Sequence, residues 1–567
     1  MRTRGSMRAA LYRFRNPCRR RSAPVSRCFR LAFPPVGDVQ LWTTSPRFCA
    51  PGAVGASHGG PCPRHVRSDR YHARVPMRVA FLAAECEPWA KTGGLADVVD
   101  ALARALGAVA GDAVELPIDV FLPRYRSVAV PAGRVTGERL VEVPDPGAGR
   151  RAVTTVRIVD LAADGYRLRL VDHPESFDRA GGYYGDERGD YLDNARRFGL
   201  FCRAALEILR AEGRSPDVLH LHDWHAAPAV RYVEPGPAAP AVLLTIHNLA
   251  FHGWTPRRRV AELGPEWTAV LAPDAVGIDL LGKAIERADL VNTVSPGFAR
   301  EALRPEFGMG LDPALRSRGD RFFGILNGLD TELWDPATDP VIAAPYSRAD
   351  RTGKLTCRAD LLTRLGMDPS DRGPVLGMIG RLDPQKGFDL LAEAAPTLLA
   401  DGFRLVVQGS GPAELVGSLR GLAATQPERV ALIERFDREM ARRIYAGTDG
   451  FLMPSRFEPC GTGQMIALRY GTSPIVHATG GLRDTVRDEH DHPGSGTGFV
   501  FRHATPDGLL WACRQFAARV RAGGGAWESL LERGMAVDFD WRTRAAPAYL
   551  EAYERAVRLR RGVVAGA

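Results

Sequence analysis

The sequence predicts an α/β protein built from two doubly wound, Rossmann-like domains that face each other across a cleft. Its 567 residues exceed what one hydrophobic core usually supports, so more than one domain is expected. From Met77 onward, short apolar and β-branched runs alternate with amphipathic stretches of helical period. Such runs are typical of parallel strands that are buried on both faces.

The predicted strands fall into two sets, separated by an irregular stretch at 328–372 that is rich in Pro and Asp. The first set comprises 77–84, 117–122, 217–222, 241–246, 289–294 and 321–326, and the second comprises 374–380, 403–408, 430–434, 450–454 and 473–478. The helices predicted between them include 97–109, 197–211, 387–400 and 463–470, with a hairpin-like excursion at 152–172. A final helix, 546–560, has no strand after it and is expected to return to the first domain.

These elements divide the chain into four parts. The predicted division is a leader at 1–76, an N-terminal Rossmann-like domain at 77–322, a C-terminal Rossmann-like domain at 323–540, and a returning helix at 541–567.

The net charge of +9 is distributed unevenly. Residues 1–76 hold fifteen arginines, no lysine and two acidic residues, a net of +13, so the rest of the chain carries −4. This leader could be an organelle transit peptide, a nucleic-acid-binding arm, or a segment that is not native, with Met77 as the working start. We favour the last interpretation because 4 lysines against 71 arginines indicate a very GC-rich coding sequence. No nucleic-acid partner is then expected.

The composition excludes several classes of protein. At 45% hydrophobic and 25% charged residues, the chain is neither largely disordered nor fibrous, and no run of about 18 apolar residues predicts a membrane-spanning helix. Nine cysteines without a CxxC pair or a Cys/His cluster form neither a disulfide scaffold nor a zinc module. They indicate a reducing compartment. We therefore expect a cytoplasmic location, or a plastid if residues 1–76 are a transit peptide.

Polar loops follow the carboxyl ends of the predicted strands, where ligands bind in sheets of this type. Gly93-Gly94 and Gly480-Gly481 precede helices and could bring backbone N–H groups to a phosphate, although an isolated Gly-Gly pair is more often a tight turn. Lys91 and Lys386 are two of only four lysines, which suggests that an ammonium group is needed there. Arg381 and Lys386 together could neutralise a diphosphate leaving group.

Two further loop residues are candidates for chemistry. Glu458 could accept hydrogen bonds from sugar hydroxyls, although a carboxylate at a helix start also interacts with the helix dipole. His225 ends the run His222-Asp223-Trp224-His225, although a lone histidine is more often a core residue. Gly409-Ser410-Gly411 lacks the third glycine of a dinucleotide fingerprint, and no spacing indicates a metal site.

Eight ordered motifs resemble one known family. They are Lys91-Thr92-Gly93-Gly94-Leu95-Ala96-Asp97, His222-Asp223-Trp224-His225, Thr245-Ile246-His247-Asn248-Leu249, Thr293-Val294-Ser295-Pro296, Ile325-Leu326-Asn327-Gly328-Leu329-Asp330, Arg381-Leu382 with Gln385-Lys386-Gly387, Ser455-Arg456-Phe457-Glu458-Pro459-Cys460-Gly461, and Thr479-Gly480-Gly481-Leu482. Over about 485 residues the chain resembles bacterial glycogen synthases and plant starch synthases, which are retaining glucosyltransferases with the GT-B fold.

The resemblance implies transfer of glucose from ADP-glucose to the non-reducing end of an α-1,4-glucan, without a metal or another cofactor. It implies acceptor binding in the N-terminal domain and nucleotide-sugar binding in the C-terminal domain. In the catalytic set, Arg381 and Lys386 would stabilise the departing ADP, Glu458 would hold the glucose hydroxyls, and the backbone carbonyl of His225 would stabilise oxocarbenium character. The implied substrate-binding residues are Lys91, Gly93, Gly94, Asp97, Asn248, Asn327, Cys460, Thr479, Gly480, Gly481 and Leu482.

Residues 265–282 differ from the usual stretch of the family and are expected to alter the acceptor surface. Two alternative functions fit part of the pattern. One is another retaining GT-B transferase that uses UDP-glucose or makes a small α-glucoside, and the other is a non-catalytic glucan-binding protein. The sequence predicts no oligomeric state.

Overall fold

The computed structural model describes residues 76–562 except 150, 214 and 235. The predicted leader, and with it every interpretation of its role, lies outside the described residues apart from Pro76. No helix in the described part combines the length and the apolar character needed to cross a membrane. The five cysteines there, Cys86, Cys202, Cys357, Cys460 and Cys513, are all free and buried.

The N-terminal half is built on one large twisted sheet. In chain order its strands are β1 (Val79–Leu82), β2 (Ile118–Pro123), β3 (Val135–Pro144), β4 (Val153–Ala162), β5 (Tyr166–Asp172), β6 (Gly185–Asp186), β7 (Gly189–Asp190), β8 (Val218–His222), β9 (Ala241–Ile246), β10 (Trp254–Pro256), β11 (Gly277–Asp279), β12 (Leu290–Thr293) and β13 (Phe322–Gly324). Nine of them form a sheet in the order β13-β12-β9-β8-β1-β2-β5-β4-β3, whereas β6 with β7 and β10 with β11 form separate two-stranded ribbons.

All six strands of the first predicted set are present, and they pair in parallel. The predicted excursion is the antiparallel hairpin of β4 and β5, which adds to this sheet through β2. The edge strand β3 was not predicted, because its mostly exposed, charge-interrupted sequence shows no clear alternation. The predicted domain boundary at 322/323 falls inside β13.

The C-terminal half is a smaller, entirely parallel sheet. Its strands are β14 (Val375–Ile379), β15 (Arg404–Gln408), β16 (Val430–Ile433), β17 (Gly450–Met453), β18 (Ser473–His477) and β19 (Phe499–Phe501), and their order is β16-β15-β14-β17-β18-β19. The five predicted strands are all present. The short strand β19 was not predicted.

Helices cover both sheets. In chain order they are α1 (Gly94–Val109), α2 (Pro174–Phe177), α3 (Asn194–Ala211), α4 (Asp223–Ala226), α5 (Ala229–Tyr232), α6 (Arg257–Val260), α7 (Pro265–Thr268), α8 (Leu280–Arg287), α9 (Pro296–Ala302), α10 (Asp312–Ser317), α11 (Thr352–Arg364), α12 (Phe388–Ala400), α13 (Ala413–Thr425), α14 (Arg438–Gly447), α15 (Gly463–Arg469), α16 (Gly480–Thr485), α17 (Pro506–Ala522), α18 (Gly524–Met535) and α19 (Ala546–Arg560).

The last helix, α19, returns to the first half, as predicted. Tyr549 and Tyr553 are fully buried in the core of that half. The Tyr549 hydroxyl accepts a hydrogen bond from Asn292 Nδ2 at 3.2 Å, and the Tyr553 hydroxyl lies 2.9 Å from His220 Nδ1. These polar contacts fix α19 against the central strands because buried polar groups require partners.

The two halves meet directly where α9 faces α16. Ser295 Oγ donates to the carbonyl of Pro459 at 2.6 Å, and the N–H of Gly297 donates to Asp484 at 2.5 Å. The rings of Phe298 and Phe457 pack edge to face, with centroids 5.0 Å apart. This contact brings the carboxyl ends of β12 and β17 to the same cleft.

Candidate active site

The glycine-containing loop Lys91–Gly94 is held by Glu85, a carboxylate that follows β1. The Glu85 side chain accepts hydrogen bonds from the backbone N–H of Thr92 at 2.6 Å and of Gly93 at 3.0 Å. It also accepts from the hydroxyl of Thr92 at 2.5 Å and from that of Tyr184 at 2.6 Å. Because four neutral donors surround this buried carboxylate, the loop has a defined conformation before any ligand arrives.

The same loop presents open space to the cleft. Helix α1 begins at Gly94, and Gly93 is its N-cap residue without a side-chain cap. A Cβ atom placed on Gly93 or Gly94 would meet no described atom within 4 Å. Beside them, Lys91 Nζ pairs with Asp97 at 2.5 Å and with Glu87 at 3.3 Å. Three predicted features, the lysine, the glycine pair and Asp97, therefore lie together.

His225 lies in an aromatic pocket behind this loop. Its ring centroid lies 4.1 Å from that of Trp224, 4.6 Å from that of Tyr184 and 4.8 Å from that of Phe198. Burial lowers the pKa of His225 to about 3, so the imidazole is neutral at physiological pH. Its Nδ1 atom has no hydrogen-bond partner among the described residues. A ligand hydroxyl could bond to this nitrogen only if the surrounding rings moved, because the atom is shielded from solvent.

Asp223 positions the neighbouring loop that carries Asn248. Its backbone has a φ of +56°, which is unusual for a residue with a side chain. Its carboxylate accepts a hydrogen bond from the N–H of His247 at 2.7 Å and another from the N–H of Asn248. Burial raises the pKa of Asp223 to about 7, and the nearby Glu85 carboxylate adds to that shift. The sequence motif indicated this residue, but not its role.

In the C-terminal half, Lys386 and Glu458 form a partly buried ion pair. Lys386 Nζ lies 2.6 Å from Glu458 Oε2, which also accepts a hydrogen bond from Ser455 Oγ at 3.0 Å. The Glu458 side chain is only 7% exposed, whereas that of Lys386 is 25% exposed. The two residues follow different strands, β14 and β17, so the parallel sheet brings them together at its carboxyl edge, as predicted.

Arg381 lies at the same edge but points into open space. Its side chain is 67% exposed, and its guanidinium group lies 3.4 Å from Asp383 and 3.2 Å from Gln385 Oε1. It is available to a ligand because neither contact buries it.

The second glycine pair packs tightly against protein. A Cβ atom on Gly480 would lie 2.0 Å from the carbonyl oxygen of Glu458, and one on Gly481 would lie 2.3 Å from that of Cys460. The N–H of Gly480 donates to Glu301 at 2.9 Å, and the N–H of Gly481 donates to the carbonyl of Glu458 at 3.1 Å. A phosphate could reach these N–H groups only if the acceptors moved, so the role of this pair stays a prediction.

The remaining predicted residues lie around this loop and are mostly buried. The Thr479 hydroxyl donates to Glu301 at 3.2 Å, and Leu482 is fully buried against Val476 and Val486, away from the cleft. The Cys460 sulfur accepts a hydrogen bond from the backbone N–H of Asn327. Burial raises the pKa of the Cys460 thiol to about 12.

These residues can bind a sugar diphosphate between two cationic loops and a neutral pocket. Among the described residues, no group of three or more His, Cys, Asp or Glu side chains is placed to hold a metal ion. Lys91, Arg381 and Lys386 are cations at the loops that follow β1 and β14, and Arg438 of the C-terminal half lies 3.5 Å from Glu87, the partner of Lys91.

Several known proteins are similar to this chain. Residues 78–317 match the starch synthase catalytic domain, and residues 373–519 match glycosyl transferases group 1. The glycogen synthase of Syntrophotalea carbinolica is 39% identical over 85% of this chain and 99% of its own length. That of an Anaeromyxobacter species is 42% identical over 84% of this chain and 99% of its own. The chain belongs to the glycogen synthase and starch synthase family.

A solved member of the family confirms the predicted fold. The catalytic domain of starch synthase IV from Arabidopsis thaliana, bound to ADP and acarbose, is 33% identical, with a TM-score of 0.76. The match covers 85% of this chain and 99% of that domain. The chain is therefore a GT-B glucosyltransferase, as the sequence motifs predicted.

Sequence reasoning did not predict the roles of three residues that organise the enzyme's cleft. Glu85 was visible after a strand, but its partner Tyr184 lies 99 positions away. Glu301 belongs to the N-terminal half and bonds to α16 of the other half. Asp223 was visible only as part of a motif, and its positive φ had no sequence signal.

Proposed function

We propose that this enzyme transfers glucose from ADP-glucose to the non-reducing end of an α-1,4-glucan such as glycogen, with retention of configuration. The observation that carries the proposal is the Lys386–Glu458 pair, at 2.6 Å, at the carboxyl edge of the C-terminal sheet. An ammonium group suits the diphosphate, and an adjacent carboxylate suits the sugar hydroxyls. Both are placed before the donor binds.

The proposed chemistry follows the charges that develop as the donor breaks. Cleavage between the anomeric carbon and the diphosphate oxygen leaves positive charge on the sugar and negative charge on the departing ADP. Arg381 and Lys386 would stabilise the negative charge, and the backbone carbonyl of His225 would stabilise the positive charge. The acceptor hydroxyl would then bond to the anomeric carbon on the face that ADP leaves and give its proton to the departing diphosphate oxygen, so the configuration is retained.

Substrate orientation would come from the loop on the other side of the cleft. Lys91 and the amides near Gly93 and Gly94 would contact the donor diphosphate, while Asp97 and Asn248 would line the sugar and acceptor side. Glu85 would act as a positioning residue, since it holds the Thr92 and Gly93 amides through its carboxylate. The indole and phenol rings around His225 would exclude water from the reacting bond.

The choice of donor and acceptor is supported by the family. Its Arabidopsis member was solved with ADP and acarbose bound, which supports ADP as the nucleotide. The proposal needs no metal, because side-chain cations neutralise the diphosphate, and activity should be unchanged in excess EDTA. It also keeps the cytoplasmic location that the cysteine pattern predicts.

The test is a side-by-side donor assay on the purified full chain with glycogen as acceptor. Radiolabelled glucose should enter glycogen from ADP-glucose with a kcat/KM at least about tenfold above that from UDP-glucose, a difference of ~1.4 kcal/mol. Faster transfer from UDP-glucose would overturn the donor assignment. Glycogen binding without transfer from either donor would overturn the enzyme assignment for this chain.

A further inference from the structure

The loop that carries Glu458 joins β17 to α15 and has no helix or strand of its own over residues 454–462. Backbone groups of such a loop need partners outside it, because a buried N–H or carbonyl group without a partner is costly. The Glu458 side chain is paired with Lys386 of the same half. The backbone around Glu458, in contrast, is held partly from the N-terminal half.

Helix α9 of the N-terminal half contacts this loop on both sides of Glu458. Before it, the ring of Phe457 packs edge to face on Phe298, which is fully buried. After it, the carbonyl of Pro459 accepts a hydrogen bond from the hydroxyl of Ser295 at 2.6 Å, and Ser295 is also fully buried. Both neighbours of Glu458 in the chain are therefore fixed by the opposite half.

The backbone of Glu458 itself is held through Glu301, a residue of α9 that is only 2% exposed. The Glu301 carboxylate accepts hydrogen bonds from the N–H of Gly480 at 2.9 Å and from the hydroxyl of Thr479 at 3.2 Å. The next N–H along the chain, that of Gly481, donates to the carbonyl of Glu458 at 3.1 Å. Glu301 thus holds the start of α16, which in turn holds Glu458.

The contact between α9 and α16 is reciprocal. Just as Glu301 of α9 accepts from the backbone at the start of α16, Asp484 of α16 accepts from the N–H of Gly297 at the start of α9, at 2.5 Å. Each helix also carries an arginine beside the other's carboxylate. Arg300 lies 3.4 Å from Asp484, and Arg483 lies 3.7 Å from Glu301. Paired and hydrogen-bonded carboxylates of this kind define one relative position of the two helices.

We propose that Glu301 is a positioning residue for the transfer reaction. From the N-terminal half it fixes the start of α16, and through the Gly481 N–H it fixes the backbone of Glu458, so that the Glu458 carboxylate is placed for the donor sugar. The pair Gly480-Gly481 transmits this position, since one N–H bonds to Glu301 and the next to Glu458. The inference rests on the proposed function, because that function assigns Glu458 to the glucose hydroxyls.

The first experiment is hydrogen–deuterium exchange of the full chain, read by mass spectrometry, which needs no turnover. Glu301→Ala removes the acceptor, whereas Glu301→Gln keeps an oxygen that accepts from the N–H of Gly480. Glu489→Ala is the matched control. Glu489 is also 2% exposed and accepts from the N–H groups of Gly494 and Gly496 at 3.1 and 3.0 Å, but these partners belong to the C-terminal half. The midpoint of thermal unfolding of every variant checks its fold.

We expect amides in the segments 456–461 and 480–482 to exchange at least about fivefold faster in Glu301→Ala than in the wild type. The increase should be smaller in Glu301→Gln and absent from both segments in Glu489→Ala. Ser295→Ala is a second variant, which should speed exchange in 456–461 even where Glu301→Ala does not fold. Unchanged exchange in both segments of folded Glu301→Ala, or in 456–461 of folded Ser295→Ala, would overturn the proposal.

The second experiment separates positioning from a merely structural role by the initial rate of transfer from ADP-glucose. Glu301→Ala should lower kcat about tenfold in the otherwise wild-type chain but less than about threefold in Glu458→Ala, because its effect acts through Glu458. Glu301→Gln should recover most of the lost rate, and the KM for glycogen should change less than about twofold. Equal losses in the two backgrounds, or a wild-type kcat in Glu301→Ala, would overturn the positioning role.

Failure of this inference is distinguishable from failure of the proposed function. If the wild type transfers glucose from ADP-glucose and Glu301→Ala transfers it equally fast, only the inference is wrong. If the wild type transfers no glucose, the proposed function fails, and faster exchange in Glu301→Ala would still support the link from α9 to the Glu458 loop.

Discussion

The two sides of the cleft differ in how many neutral, buried side chains they hold around the reacting groups. On the N-terminal side, His225 and His222 are buried and His247 is partly buried. Burial lowers the pKa of each, so their rings stay neutral. The one carboxylate that organises the loop there, Glu85, is surrounded by N–H and O–H donors. On the C-terminal side, Lys386 carries a charge and remains partly open to solvent.

This difference matches two separate demands of glucosyl transfer. Small dipoles such as a carbonyl group act strongly only where water is excluded, which suits the sugar side. A departing nucleoside diphosphate carries full negative charges and needs full positive ones, which are less costly to hold where solvent reaches them. We therefore expect perturbations on the two sides to have different signatures.

The largest effect should come from substitutions in the Lys386–Glu458 ion pair. Lys386→Ala and Glu458→Ala should each lower kcat about 10³-fold, because each removes a group that interacts with the reacting sugar diphosphate. Initial rates of transfer from ADP-glucose measure this. Lys283→Ala is the matched control, since Lys283 pairs with Glu286 on the surface. Rates within a factor of three of the wild type in either cleft variant would contradict the assignment.

A smaller effect is expected on the neutral side. Glu85→Gln keeps the shape but directs an amide NH₂ at donors, so the loop Lys91–Gly94 should lose its fixed conformation. We predict kcat/KM lower by about 10–100-fold and an unfolding free energy lower by about 1–3 kcal/mol. Steady-state kinetics and urea unfolding measure both.

Glu434→Gln, which changes an exposed partner of Arg420, controls for the loss of a carboxylate. A Glu85→Gln enzyme with wild-type KM for ADP-glucose and wild-type kcat would show that Glu85 does not position the loop.

The pH dependence of stability should report Asp223. Burial raises the pKa of Asp223 from 3.8 to about 7. At pH values between these two, Asp223 therefore holds a proton in the folded state but not in the unfolded state. The contribution of this group to the free energy of unfolding therefore falls as pH rises from about 4 to about 7, by up to ~4 kcal/mol. Asp223→Asn removes this titration and tolerates the positive φ.

Urea midpoints at pH 5 and pH 8 for the two proteins provide the measurement. The buried histidines contribute equally to both, so the difference isolates Asp223. We expect the free energy of unfolding at pH 8 minus that at pH 5 to be lower in the wild type than in Asp223→Asn. Equal differences in the two proteins would contradict a buried Asp223 carboxyl group with a raised pKa.

The smallest effect is that of salt. Arg381 is largely exposed, so its attraction to the donor diphosphate should be screened, whereas a glucan is neutral. The KM for ADP-glucose should rise about two- to fivefold between 0.05 and 0.5 M NaCl. The KM for glycogen should stay within a factor of two, and a parallel rise of both values would contradict this division between the two sides.

The rarity of lysine was only a partial guide to function. Lys91 and Lys386 lie in the cleft as expected, but Lys354 is a structural residue. Its ammonium group is buried and donates to the carbonyls of Ala446 and Tyr470 and to the Thr472 hydroxyl, at 2.7–3.0 Å, where it links the ends of α14 and α15. Composition alone could not separate a lysine that binds a ligand from one that binds helix ends.

Features that depend on the sequence of a single segment could be predicted. The buried parallel strands were predicted because both of their faces are apolar, and Lys386 and Glu458 could be placed together because both follow such strands. β3 and β19 were missed because one is exposed and charged and the other is three residues long. The partners of Glu85 and Glu301 come from distant segments, and no spacing within one motif reports such contacts.

The central claim is that the cleft builds α-1,4-linked glucan from ADP-glucose. The most direct measurement is incorporation of glucose from ADP-[¹⁴C]glucose into glycogen by the full chain, followed by digestion with a hydrolase specific for α-1,4 linkages. We predict that label enters the polymer and that the digestion releases it. No incorporation, or label that resists the hydrolase, would contradict the account.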